Sequence, residues 1–96
     1  MRVLLMATLD TQRSNELMND GKMPEVMKGV FDRLQPEAAY FGPVRGQRTV
    51  LLVFDMTDSS ELPPAGDPFF TEMNARVEVT PIMNAEDLQK GLSQLR

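Results

Sequence analysis

The sequence predicts an α+β domain in which two crossover helices cover one four-stranded antiparallel sheet. The predicted elements follow in the order strand, helix, strand, strand, helix, strand, and a further helix comes after them. The first and third strands are apolar on both faces, which is typical of central strands. The second and fourth contain Pro43 and Pro81. Proline has no N–H to donate, so it is confined to the edges of sheets.

The four strands are predicted from short apolar or alternating runs. Residues 3–9 place apolar side chains on both faces, and residues 48–56 hold an unbroken apolar run at their middle. Residues 38–41 and 76–83 form the second and fourth strands, and a turn at residues 44–47 joins the second to the third as a hairpin. All four belong to one domain that spans residues 1–96.

The first crossover is predicted in two parts. Residues 11–19 are mostly polar, follow the capping residue Asp10, and form either a lid or a frayed turn. A firmer helix starts at Pro24 and ends before Pro36, because the residue that precedes a proline avoids helical dihedral angles.

The second crossover begins with the spacing of a capping box, from Asp58 to Glu61. Several prolines near its start predict an irregular first turn. After the fourth strand, Asn84 caps a last helix that carries a leucine stripe on one face.

This order of elements is the split βαβ pattern of ferredoxin-like domains, and right-handed crossovers place the first and third strands in the middle of the sheet. The helices cover one face. The other face carries Leu4, Met6, Leu51 and Val53, which form a patch too apolar for a soluble surface. Either the last helix or a second copy of the chain must cover it, and we favour the second copy, so we predict a homodimer.

Segments at residues 36–41 (PEAAYF), 49–55 (TVLLVFD) and 68–83 resemble a family of small uncharacterised bacterial proteins. That family is part of the dimeric α+β-barrel superfamily, whose members pair two ferredoxin-like sheets face to face. The chain is more distantly similar to muconolactone isomerases and cofactor-free polyketide monooxygenases. The histidine or tryptophan groups associated with activity in some of those enzymes have no counterpart here. The resemblance therefore implies a fold and its pairing as a barrel, but no reaction.

The composition excludes several kinds of chemistry. The chain has no cysteine and no histidine, so it has neither disulfides nor thiolate zinc sites, and no Ser-His or Cys-His nucleophile. A formal charge of −4 argues against a nucleic-acid partner. No apolar run approaches the roughly 20 residues of a membrane helix. We expect a cytoplasmic protein without a cofactor or a metal.

Two carboxylates are candidate general bases. Asp55 ends the most apolar strand, and Glu78 shares a predicted face of the fourth strand with Arg76 and Thr80. Arg76 would steady a carboxylate or an enolate while Glu78 moves a proton. Each has a plainer alternative: Asp55 merely terminates its strand, and Arg76 and Glu78 form an ion pair across the dimer seam.

A ligand is predicted to lie beside these carboxylates. Methionine side chains adapt to flat, variable apolar ligands, and Met6, Met56 and Met83 are the candidates for such a lining. Tyr40 either donates a hydrogen bond to the ligand or packs at a sheet edge with an exposed hydroxyl. The predicted ligand-binding residues are Met6, Thr8, Tyr40, Leu51, Val53, Arg76 and Thr80.

Three functions stay open at this point. The first is a homodimer that holds a small apolar or aromatic ligand in the cleft between sheet and helices. The second is a cofactor-free isomerase, cyclase or monooxygenase that acts on an aromatic or polyketide-like substrate. The third is a structural dimer. A void bounded by Tyr40, Asp55 and Glu78 would favour the first two, and an interior filled by Met and Phe side chains would favour the third.

Overall fold

Four strands form one antiparallel sheet in the computed structural model, which describes residues 1–96. They are β1 (Arg2–Thr8), β2 (Ala38–Val44), β3 (Gln47–Asp55) and β4 (Arg76–Pro81). Their order in the sheet is β2-β3-β1-β4, so the two strands that are apolar on both faces lie inside and the proline-containing strands lie at the edges. The predicted α+β class and the antiparallel sheet are confirmed.

Four helices accompany the sheet: α1 (Thr11–Asn19), α2 (Met23–Leu34), α3 (Leu62–Met73) and α4 (Ala85–Ser93). The prediction of a lid or a frayed turn at residues 11–19 was wrong, because α1 is a regular helix. Asp10 caps it by accepting a 2.9 Å hydrogen bond from the backbone N–H of Arg13. Ser14 and Leu17 on its inner face are fully buried. This packing stabilises the helix despite the polar composition of the segment.

The other helix starts follow their sequence signals. Asp58 and Glu61 form the predicted capping box around a single 3₁₀ turn, Ser59–Glu61, which leads into α3. This turn is the irregular start that the prolines predict. Asn84 and Asp87 form a second capping box at the start of α4.

A two-residue turn closes the predicted hairpin between β2 and β3. Val44 pairs with Gln47, and the two residues between them, Arg45 and Gly46, have φ angles of 55° and 77°. Positive φ at both central positions is the geometry of a type I′ turn, whose twist matches that of the flanking strands. The hairpin continues through Gly42 and Pro43, beyond the predicted end of the second strand.

The core lies between the sheet and the helices α1, α2 and α3. Alternate residues of β1 and β3 point into it and are buried, and so are the apolar side chains of the facing helices, among them Leu17, Val30 and Phe69. On the opposite side, which we call the open face, Leu4, Met6, Leu51 and Val53 are only partly buried.

The last helix, α4, packs weakly on the body of the domain. All its residues are exposed, and its apolar stripe includes Leu88 and Leu92, which are 44% and 50% exposed. Its side-chain link to the sheet is a 3.3 Å hydrogen bond from Arg2 Nη1 to Asp87 Oδ2. The radius of gyration is 15.1 Å, whereas a compact chain of this length has about 12.5 Å. The helix therefore leaves the open face uncovered.

Candidate functional site

The structure places all nine predicted site residues on the open face. Directly paired residues share a face, and pairing aligns Tyr40, Leu51, Met6 and Glu78 in one row across the sheet. Thr80 belongs to a neighbouring row with Leu4 and Val53, and Arg76 pairs with Thr8 in the row on the other side. Asp55 pairs with Arg2 at the end of β3.

These residues are too far apart to form one compact site within a single chain. Tyr40 and Glu78 lie at opposite edges of the sheet, and with a strand spacing near 4.8 Å they are roughly 14 Å apart. Asp55 lies four residues beyond Leu51 along β3, which places it about 13 Å from that row. No void is bounded by Tyr40, Asp55 and Glu78 together.

Asp55 contacts the start of the chain rather than a cleft beside Leu51. Its Oδ1 accepts a 2.6 Å hydrogen bond from the amino group of Met1, and its side chain is 77% exposed. Arg76 and Glu78 are also exposed and form no ion pair with each other. No group of three or more carboxylates is close enough together to hold a metal ion.

Two clefts of similar volume lie at opposite ends of the sheet. One, of about 480 Å³, includes Arg2, Glu37, Asp55 and Asp87 in its lining. Arg2 already donates to Glu37 at 2.6 Å, and this hydrogen bond raises the pKa of Arg2 above its ordinary value. Since these charges largely satisfy one another, this cleft offers little to a ligand.

The other cleft, of about 460 Å³, is apolar and lies between the helices α1 and α2 and the β2–β3 hairpin. We call it the hairpin cleft. Its lining residues come from both helices, both hairpin strands and the residue that follows β1: Leu9, Met18, Met23, Met27, Phe41, Gly42, Pro43, Arg48, Thr49 and Val50.

Three methionines on the helical side make this lining adaptable. Met23 and Met27 lie one turn apart on α2, so both point to the same side. Met18 joins them from α1. These are not the predicted methionines: Met56 is buried in the core, and Met6 lies on the open face.

The opposite wall is aromatic and belongs to the edge strand β2. Phe41 pairs with Val50 and so faces the helices, yet it remains 58% exposed. The centroid of its ring lies 6.2 Å from that of Phe31 on α2, and the two ring planes are inclined at 53°. One side of the Phe41 ring therefore packs against α2. The exposed side of the ring is available to a ligand.

Arg48 is the one charged residue of the hairpin cleft. Its Nη1 donates to Ser14 Oγ at 2.9 Å and to Asn15 Oδ1 at 2.7 Å. Ser14 is itself fully buried and donates its hydroxyl to the carbonyl of Thr11. Arg48 has no carboxylate within ion-pair distance.

None of the nine predicted site residues lines the hairpin cleft. The alternation of side chains along β3 did indicate one residue of the hairpin cleft. Arg48 lies an even number of positions from the buried Val50, Leu52 and Phe54, so it is on the same side of the sheet. A charged residue on the helix-facing side of a central strand is unusual, so this position could have drawn attention to the cleft. The methionines gave no comparable signal, because methionine at helical spacing is mostly core.

Comparison with models of protein families finds none that matches the chain, and comparison with curated proteins finds no similar sequence. None of the four helices has the length and apolar character needed to cross a membrane.

Proposed function

We propose that this protein binds a small apolar or aromatic ligand in the hairpin cleft and acts as a homodimer. The binding proposal is based on the presence of this apolar cleft. Its volume of about 460 Å³ is within the range of small-molecule sites, which are mostly apolar with a few polar groups. Met18, Met23 and Met27 adapt to the ligand, and Phe41 stacks on it.

The lining favours binding over catalysis. Arg48 is the only titratable side chain among its residues, and an arginine stays protonated at neutral pH, so it is a poor proton acceptor. The two predicted bases, Asp55 and Glu78, lie outside this cleft. Nothing in its wall can act as a general base.

Calorimetric titration with a neutral bicyclic probe, 2-naphthamide, tests the binding proposal. We expect saturable binding by the unmodified protein. Met23→Trp should abolish it, because the larger side chain fills the cleft from α2. Met83→Trp is the matched control: Met83 is 63% exposed and lies outside the hairpin cleft, so affinity should stay unchanged. Absence of binding to the unmodified protein, or equal binding by both variants, would refute the proposal.

The homodimer proposal is supported by surface that the single chain leaves uncovered. The accessible surface is 6519 Å², whereas a monomer of 10.8 kDa has about 5,500 Å². The apolar centre of the open face, Leu4, Met6, Leu51 and Val53, contributes to this excess. Two such faces packed together would form the barrel of a dimer with ferredoxin-like subunits, and standard interfaces bury about 1,600 Å² in total.

The exposed stripe on α4 supports the same assembly. Leu88 and Leu92 are 44% and 50% exposed within the single chain, and a helix that projects from the domain can reach a neighbouring copy. We therefore include α4 in the proposed dimer interface, beside the open face.

A further inference from the structure

The hairpin cleft contains one unusual feature, a cation that is fixed in place but not neutralised. Arg48 lies on the helix-facing side of β3, opposite Pro43 of the edge strand. Arg48 is partly buried, and withdrawing a cation from water costs free energy that a bound anion would offset. No acidic residue of the chain does so.

The hydrogen bonds of Arg48 hold one end of its guanidinium group and leave the other free. Both protein acceptors, Ser14 Oγ and Asn15 Oδ1, take their bonds from Nη1. No protein acceptor is bonded to Nε or Nη2. That pair of nitrogens forms the edge of the guanidinium group that binds a carboxylate through two parallel N–H···O bonds.

We propose that the ligand of the hairpin cleft is an apolar or aromatic monocarboxylate, whose carboxylate binds the Nε and Nη2 edge of Arg48. This inference rests on the proposed binding function and adds the ligand's class. A single carboxylate is favoured because the cleft supplies one positive charge and no second one. The hydrocarbon part of the ligand then lies against Met23, Met27 and Phe41.

The first test compares 2-naphthoate with its neutral isostere 2-naphthamide on the unmodified protein by calorimetry. The two probes have the same ring and differ at the polar group. We expect 2-naphthoate to bind about tenfold more tightly or better, since charged hydrogen bonds contribute more than neutral ones. Equal affinity for the two probes would overturn the carboxylate inference while leaving the binding function intact. Binding of neither probe would overturn both.

The second test removes the cation. Arg48→Met keeps an unbranched side chain but loses the guanidinium, so it should cost most of the preference for 2-naphthoate and little of the affinity for 2-naphthamide. Arg33→Met, which removes an exposed arginine from α2, is the control for the change in net charge. If Arg48→Met lowers thermal stability but leaves the preference for the acid unchanged, Arg48 is only a structural link and the inference fails.

Discussion

Arg48 on β3 donates a 2.9 Å hydrogen bond to the hydroxyl of Ser14 on α1, and so joins the hairpin to the first helix beside the hairpin cleft. The contact brings together residues that are 34 positions apart in the chain. It ties α1 to the wall of the hairpin cleft, in which Arg48 is the only charged residue.

The first prediction concerns α1 as a structural element. Leu17→Ala should lower the free energy of unfolding by about 2–5 kcal/mol, because the leucine is fully buried and its removal leaves a cavity. Met18→Ala, at the next position of the same helix, should cost much less because Met18 is 46% exposed. Urea denaturation of both variants measures this. Similar small losses for both would mean that α1 is not packed on the core.

The second prediction concerns the open face. Leu51→Asp should dissociate the dimer or unfold it, because an unpaired carboxylate would be buried at the centre of the interface. Gln12→Asp adds the same charge at an exposed position of α1 and should leave assembly unchanged. Light scattering at micromolar concentration measures the mass of each. A monomeric unmodified protein, or a Leu51→Asp variant that dimerises normally, would contradict the proposed interface.

The third prediction concerns α4. The double substitution Leu88→Gln and Leu92→Gln should weaken the dimer at least severalfold, because it removes apolar area from the interface. Within a single chain both leucines are exposed, so substitutions there should change monomer stability by no more than about 0.5 kcal/mol. Sedimentation equilibrium gives the dissociation constant. An unchanged constant would exclude α4 from the interface.

The fourth prediction concerns acid stability at the start of α3. Hydrogen bonds from the hydroxyl and backbone N–H of Ser60 hold the pKa of Asp58 below its ordinary value of 3.8. The folded state thus favours the ionised carboxyl. Its contribution is fully present above pH 3.8 and is lost as the pH falls through the lower folded pKa.

Asp58→Asn keeps a capping side chain but cannot ionise, so it isolates this effect. Urea denaturation at pH 6 should show the unmodified protein to be the more stable of the two, and the difference should shrink as the pH falls towards 3. A difference that does not depend on pH would contradict this explanation of the lowered pKa.

The sequence predicted the sheet well because its signals are local. Strand alternation placed Leu51, Met6 and Glu78 on one face, and proline chemistry placed Pro43 and Pro81 in edge strands. Capping residues marked the starts of α1, α3 and α4. Each of these features depends on a few neighbouring residues.

The candidate site could not be predicted in the same way, because it depends on distant segments meeting. The hairpin cleft needs the packing of two helices against an edge strand, and Met18 and Phe41 have no local pattern that relates them. Likewise, α1 is stabilised by the burial of Leu17 in a core built from other parts of the chain, so its polar sequence was misleading.

Methionine methyl NMR tests most directly whether the hairpin cleft binds a ligand. Three of the protein's eight methionines, Met18, Met23 and Met27, line the cleft, and the others serve as internal controls. Saturating 2-naphthoate should shift the methyl signals of these three and leave those of Met6 and Met56 in place. Shifts at Met6 without shifts at Met23 and Met27 would place the ligand on the open face and contradict binding in the hairpin cleft, as would a spectrum that does not change.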